Sequence, residues 1–284
     1  MRQKQRRWLL LLGVAVVLFG AERIGLIDEV DYAGLFGGSL GSNTEPDVGT
    51  AGVSVPAGDL RAELHLAAKE GHRRLRYGDV YRHLRDLDEN PDRRSHVLLL
   101  YSGRSVAKDD WEREYKTSGG QGHPDSWNRE HVWPKSRGFP DIDDMPHNDL
   151  HHIRATDKSV NADRRSLDFD ISEDRLAEAP NARIDDDSFE PPDRVKGDIA
   201  RMLFYVDVRY EGGDGVPDLR LIDRASHWSE PTLGKLCTLL TWHAEDPVDG
   251  LERRRNDLVA DIQGNRNPFI DDPEAADALY GPQC

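Results

Sequence analysis

Residues 128–136 read "NREHVWPKS" and residues 149–165 read "DLHHIRATDKSVNADRR". The run "REHVW" (129–133) has strand length and stops at Pro134, which cannot donate to a ladder. "DLHHI" (149–153) forms a second short strand, and "TDKSVNADRR" opens a helix with Thr156 as its N-cap. The expected unit is therefore strand, loop, strand, helix, with an acid and a histidine adjacent at its centre.

That pair is Glu130-His131. A neutral histidine can take a proton from water near pH 7, and a carboxylate is a hard oxygen ligand. Strand alternation sends the two side chains to opposite faces, so one site can use both only at a strand end or bulge, which Pro134 and the loop "RGFPDIDDMPHN" make reasonable. The amide oxygen of Asn161, on the helix of the same unit, is the second oxygen donor. Two such donors leave most positions of an octahedral ion to water and phosphate, a pattern that suits Mg²⁺, with Mn²⁺ able to substitute, and not structural zinc. Arg154, Arg164 and Arg165 are candidate phosphate contacts; the competing reading is a solvated face paired with Asp157 and Asp163.

Working outward, apolar spacing predicts helices over "LRAELHLAAKE" (60–70), "YGDVYRHLRDL" (77–87), "DRVKGDIARMLFYVDVRY" (193–210), "TLGKLCTLLTWHAEDP" (232–247) and "VDGLERRRNDLVADIQG" (248–264), the last ended by Gly264. "HVLLLYSG" (96–103) reads as a buried strand. The fold class is α+β: a mainly helical domain around the central strand-loop-strand-helix motif. "QGNRNPF" (263–269) either pins the terminal segment by side-chain hydrogen bonds or lies along a cleft.

At the N-terminus, "MRQKQRR" precedes fourteen uninterrupted apolar residues, Trp8 to Ala21. That run is short for a membrane span of roughly 20 residues and has the form of a signal segment. Residues 1–33 are thus expected to be a signal peptide or membrane anchor, touching the membrane in export or as a tether, 34–57 a flexible linker, and 58–284 the globular domain. The expected location is outside the cell membrane: secreted, periplasmic or anchored facing outward. Only Cys237 and Cys284 are present; they can pair in an oxidising compartment or stand as one buried and one free thiol.

The formal net charge of -15 across 284 residues excludes a generally basic nucleic-acid-binding surface. Between Ser126 and Asp168 eight acids face seven Arg and Lys, so any phosphate recognition there is local.

"NREHVWPKS", "NDLHHIRATDKSVNADRRS", "GDIARMLFYVDVRY", "LLTWHAEDPVDGLERRRNDLV" and "QGNRNPFIDDPE", in that order from about Leu60 to Glu274, resemble the bacterial endonuclease I family of secreted or periplasmic nucleases, members of the His-Me finger (ββα-metal) group. The resemblance implies His131 as general base, Glu130 and Asn161 as holders of a catalytic Mg²⁺, and a catalytic arginine at Arg164 or Arg165. It places His151 near the site; Lys135 and Arg154 are further substrate contacts expected, and Trp133, with Trp127 and Phe139, either stacks on a base or, as expected for two of the three, gives buried support to the loop. The implied activity is hydrolysis of DNA, and in some members RNA, with little sequence preference, leaving 5′-phosphates, and no obligate protein partner. Two readings compete with it: an inactive, surface-anchored nucleic-acid-binding protein on the same scaffold, and a phosphodiesterase for small substrates whose acidic loop Asp141–Asp144 forms a lid.

Overall fold

A computed structural model describes residues 57–112 and 126–284, so the expected export segment and nearly all of the expected linker lie outside the described residues. Helix α1 spans Ala57–Lys69 and α2 spans Tyr77–Leu87, close to the periodic stretches that predict them. α2 buries Val80, Tyr81, Leu84 and Leu87, one stripe at helical spacing. Strand β1 (His96–Leu98) turns back into β2 (Ser105–Ala107), so the single strand expected over 96–103 is instead a short hairpin arm. Gly103, with φ +71° beneath the Arg194 guanidinium, makes that reversal possible.

The central unit is β3 (Trp127–His131), β4 (Ile153–Asp157) and α3 (Lys158–Arg164). β3 and β4 pair antiparallel without a bulge, Glu130 facing Arg154 and His131 facing Ile153. The second strand therefore begins where "DLHHI" was expected to end. Asp149 is the reason: its Oδ1 accepts from the His151 backbone N–H at 2.9 Å, which bends residues 149–152 into a turn. Thr156 sits buried within β4, and the helix starts after Asp157, whose side chain makes no cap hydrogen bond.

A four-stranded sheet follows that periodicity did not predict: β5 (Asp168–Phe169), β6 (Asp174–Arg175), β7 (Arg183–Ile184) and β8 (Ser188–Glu190), ordered β5-β8-β7-β6. Helix α4 (Lys196–Arg209) is the axis of the larger core, with every residue from Ile199 to Arg209 buried. Its charges are paired: Arg201 with Glu252, Asp207 with Arg61 at 2.6 Å, Arg209 with Asp214. β9 (Arg220–Leu221) and β10 (Thr232–Leu233) pair in parallel and take the first residues of the helix expected at 232. Helix α5 is then Leu236–Glu245. α6 (Gly250–Gln263) is capped by Asp249, which accepts from the Leu251 and Glu252 N–H groups, and ends at Gly264 with φ +95°. α7 (Pro268–Asp271) and α8 (Glu274–Tyr280) close the described chain. Among the described residues no helix is long and apolar enough to cross a membrane.

Two features answer questions the sequence leaves open. Cys237 and Cys284 form a disulfide with Cα atoms 5.4 Å apart, closing a 47-residue separation. "QGNRNPF" is a pinning motif. Gln263 donates to Asp149 at 2.7 Å and accepts from the Leu150 N–H at 2.9 Å, Asn265 donates to the Ala68 carbonyl, and Asn267 donates to the Arg201 carbonyl and caps α7.

Asp149, fully buried, also accepts from the Tyr205 and Tyr210 hydroxyls at 2.8 and 2.7 Å. Burial alone would raise its pKa; the neighbouring His72, His151 and His152 with these hydrogen bonds outweigh that and hold it well below the ordinary carboxylate range. Burial in turn pushes His72 and His152 below 6.5 and His151 to about 4, so all three are neutral at pH 7 and act on Asp149 by charge only at acid pH, where the carboxylate would otherwise take a proton. A histidine with a depressed native pKa stabilises the fold above its unfolded pKa and stops doing so as pH falls below it; a depressed carboxylate behaves likewise at lower pH. The melting temperature should thus decline steadily from pH 7 toward pH 4, the first losses starting near 6.5 as the unfolded chain takes up the histidine protons. Asp149→Asn should lower stability by about 2–4 kcal/mol at neutral pH and flatten the most acidic part of the profile. Calorimetry across this range checks both, and a melting temperature unchanged between pH 7 and 5 would contradict the assignment of buried neutral histidines.

Candidate active site

A cleft of about 460 Å³ opens along the outer edge of β3, lined by Tyr77, Arg129, Glu130, His131, Lys135 and Asn161 among others. His131 is the last residue of a regular strand, so the two faces of β3 flank one opening without any bulge. On one face are Asn128 and Glu130; on the other Arg129 and His131.

His131 Nε2 lies 3.0 Å from the backbone carbonyl of His147. A carbonyl can only accept, so Nε2 carries the proton and Nδ1 keeps its lone pair. The ring packs among Tyr77, His147, Phe139 and His152, with centroid separations from 5.2 to 6.3 Å. Burial, with the neighbouring His152, sets its pKa well below 6.5 and keeps it neutral.

Glu130, 2% exposed, has its Oε1 held by the Tyr101 hydroxyl at 2.7 Å and by Arg164 at 3.5 Å. Oε2 has no hydrogen-bond partner among the described residues. Burial raises the pKa of Glu130, more than Arg164 and Tyr101 lower it. Such a carboxylate gains from a further cation. Asn161 donates its amide to Asn128 Oδ1 at 2.9 Å and to the Arg129 carbonyl at 3.1 Å, which fixes its orientation and leaves Oδ1 as a free acceptor. Among the described residues no group of three or more His, Cys, Asp or Glu converges to hold a metal. The donor set is therefore lean and all oxygen, which fits a hard, largely water-coordinated divalent cation and not a cage.

The other candidates separate. Lys135 and Arg165 line the same cleft and are exposed. Arg165 is the only non-glycine residue with positive φ among the described residues, at +54°, and terminates α3. Arg164 is fully buried and does not line the cleft: it donates to the His131 and Val132 carbonyls, sits over the Phe169 ring at 4.5 Å, and positions the Glu130-His131 strand end from behind. Arg154 does not reach the cleft either. It faces Asp88 at 2.8 Å and Asp198 at 3.4 Å, and with His151 lines a second cavity. His151 bonds the Asn265 carbonyl and stacks near Tyr205, because residues 149–152 are a turn; His152 is the one whose ring lies 6.0 Å from His131. Trp133 is wholly buried and donates to the Arg137 carbonyl, so it supports the loop and offers no face to a base.

Residues that strand and helix spacing did not point to complete the wall. The Arg129 guanidinium lies over Tyr77 at 3.4 Å and Tyr81 at 4.2 Å and donates to the Tyr77 carbonyl at 2.8 Å. Among the described residues Arg129, Lys135 and Arg165 form no ion pair, whereas Arg154, Arg164, Arg201, Arg209 and Arg255 all do. The "R-E-H" order could have singled out Arg129, since it shares a strand face with His131.

Against known proteins, the model of the endonuclease I family matches residues 59–274. An extracellular ribonuclease of Bacillus amyloliquefaciens is 47% identical over 229 residues, covering 78% of this chain and 73% of the relative. An extracellular ribonuclease of Bacillus subtilis (strain 168) is 44% identical over 238 residues, 81% and 77% of the two chains. An endonuclease-1 of Buchnera aphidicola subsp. Acyrthosiphon pisum (strain APS) is 28% identical over 127 residues, 43% and 44% of the two chains.

The tautomer of His131 is open to direct test. Long-range ¹H–¹⁵N correlation spectra should show Nε2 protonated and Nδ1 bare at pH 7, with the ring taking a proton only well below pH 6.5. An Nδ1–H tautomer, or a charged ring at pH 6.5, would remove the basis for a proton acceptor facing the cleft.

Proposed function

The chain belongs to the endonuclease I family, and from that premise we propose that it is an exported, divalent-metal-dependent nuclease that hydrolyses phosphodiester bonds in RNA and DNA with little sequence preference, leaving 5′-phosphates. The observation that carries this reading is the cleft itself: one bare imidazole nitrogen, a carboxylate oxygen and an amide oxygen meet beside three unpaired cations. The printed names of the relatives, both extracellular ribonucleases, favour RNA as a substrate and export as the destination.

The ββα arrangement of β3, β4 and α3 is read as a His-Me finger. Glu130 and Asn161 would hold a Mg²⁺ or Mn²⁺ ion, which when bound supplies positive charge at the scissile phosphate and the leaving oxygen. His131 Nδ1 accepts a proton from the attacking water as its oxygen bonds phosphorus. The phosphorus–O3′ bond breaks, the 3′ oxygen leaves to take up a proton, and the phosphate stays on the 5′ carbon. Tyr101 and Arg164 hold the Glu130 carboxylate in place, and the Nε2 bond to the His147 carbonyl keeps the His131 ring from turning. Arg129, Lys135 and Arg165 hold the phosphates. Glu130, His131 and Asn161 are all present, which disfavours an inactive scaffold, and an open edge-on cleft disfavours a closed cup for small diesters.

His131→Ala should reduce cleavage of RNA and of plasmid DNA by roughly 10²- to 10⁴-fold per folded molecule, a loss beyond the lowered melting temperature that emptying this packed, hydrogen-bonded site brings. Chelation by EDTA should silence the parent enzyme, and Glu130→Ala or Asn161→Ala should shift the Mg²⁺ activation curve to higher concentration. Full activity in metal-free protein, or wild-type rates in His131→Ala, would defeat the proposal. Arg154→Ala, by contrast, should act through stability, visible as a lowered melting temperature with little change in kcat for the folded fraction.

A further inference from the structure

A second concentration of unpaired positive charge lies on the four-stranded sheet. Arg175 on β6 and Arg183 on β7 are directly opposite each other in an antiparallel pair, so their side chains leave the same face. Like charges at directly opposed positions repel and destabilise a sheet. Among the described residues neither guanidinium lies within ion-pair distance of a carboxylate; Arg183 donates only to the Glu173 carbonyl, at 2.8 Å. Arg194 adds a third. It donates to the Leu100 carbonyl at 2.7 Å and forms no ion pair among the described residues, and burial, with the nearby Arg154, lowers its pKa.

These three arginines line one groove of about 440 Å³, together with Asn181 and the rings of Pro180 and Pro192. The two acids at its rim, Glu190 and Asp193, are both engaged by Lys196, at 2.7 and 2.8 Å. In a chain of net charge -15, an unneutralised cross-strand arginine pair beside a third arginine is arranged for something anionic. Guanidinium forks of this kind suit phosphate oxygens. The groove is also tied to the finger: Glu178, in the β6–β7 loop, accepts from Ser159 in the first turn of α3, the helix that carries Asn161.

We propose that the Arg175–Arg183–Arg194 groove is a phosphate-binding exosite that grips the backbone of a polynucleotide beyond the segment held in the cleft. This rests on the nuclease reading and extends it to substrate length. A short substrate fills the cleft alone; a long strand passes over α3 and gains two or three further phosphate contacts. Removing Arg175 and Arg183 also relieves their mutual repulsion, so the fold should be unharmed.

The test is the double variant Arg175→Gln/Arg183→Gln. Its melting temperature should equal or exceed that of the parent, and it should cleave a dinucleotide at the parent rate. On a long single-stranded homopolymer kcat/KM should fall by about threefold or more, and in a His131→Ala background the salt dependence of binding to that polymer should become shallower by about 1.4 in log–log slope, two contacts at about 0.7 each. Parent-like kcat/KM and salt slope on the long polymer would overturn the exosite while leaving the nuclease reading intact. If the parent cleaves and binds no nucleic acid at all, the nuclease reading fails separately, and calorimetric titration with tripolyphosphate still decides the groove: binding by the parent that the double variant loses supports it, and equal or absent binding by both refutes it.

Discussion

The anionic side chain of Asp149 governs how the molecule is assembled. A carboxylate removed from water must be compensated by donors on every side, and its donors come from separated parts of the chain: two tyrosines of the α4 region, Gln263 at the end of α6, and its own turn. Satisfying that one group therefore fixes the turn at 149–152, and the turn decides where β4 begins. The register of β4 against β3 then sets Glu130 and His131 at the strand end. The placement of Glu130 and His131 at the cleft is in this sense downstream of a buried hydrogen-bond network that contributes no atom to it.

Arginines divide into two populations. Those with structural duties are buried beside carboxylates or carbonyls: Arg164 behind the strand end, Arg201 against Glu252, Arg255 against Asp88 and the Leu150 and Ile153 carbonyls. Among the described residues, Arg129 and Arg165 at the cleft and Arg175, Arg183 and Arg194 at the groove on the small sheet form no ion pair, while Arg73, Arg93, Arg94 and Arg253 stand unpaired elsewhere. Net charge could not reveal this, because it averages over both populations. A strongly acidic protein can present local cationic surfaces when its acids are committed elsewhere, as Lys196 occupies two of them at the groove rim.

Much of this was readable from residues alone. The helices at 77–87, 196–209 and 250–263 follow from apolar spacing, the last with Gly264 as its stop signal, while the Asp249 cap is a finding of the structure. The strand-loop-strand-helix unit is legible because Pro134 and a polar loop punctuate two short runs. What spacing could not supply was the direction of individual side chains. Nearness to the centre suggests Arg154 as a phosphate contact and family resemblance suggests His151, yet Arg154 points to Asp88, His151 to the Asn265 carbonyl, and Trp133 takes the buried, loop-supporting role through the Arg137 carbonyl. The sheet at 168–190 leaves no mark in the sequence because its strands are two or three residues long, too short to show alternation. Arg129 carries no signal in the spacing, because its setting is made by two tyrosine rings from a distant helix.

The outer edge of β3 has one more implication. A strand that must stay open to admit substrate also presents unpaired backbone groups, the usual template for intermolecular strand addition and fibril growth. Here Asn161 occupies the Arg129 carbonyl, the Asp110 carbonyl accepts from the Trp127 N–H, and Trp111 bridges to Trp127 at the start of the strand. The residues flanking the opening are charged as well. The same amide that fixes the orientation of Asn161 thus takes the Arg129 carbonyl out of play as an acceptor, and the edge loses one of the groups another copy would need to pair with it.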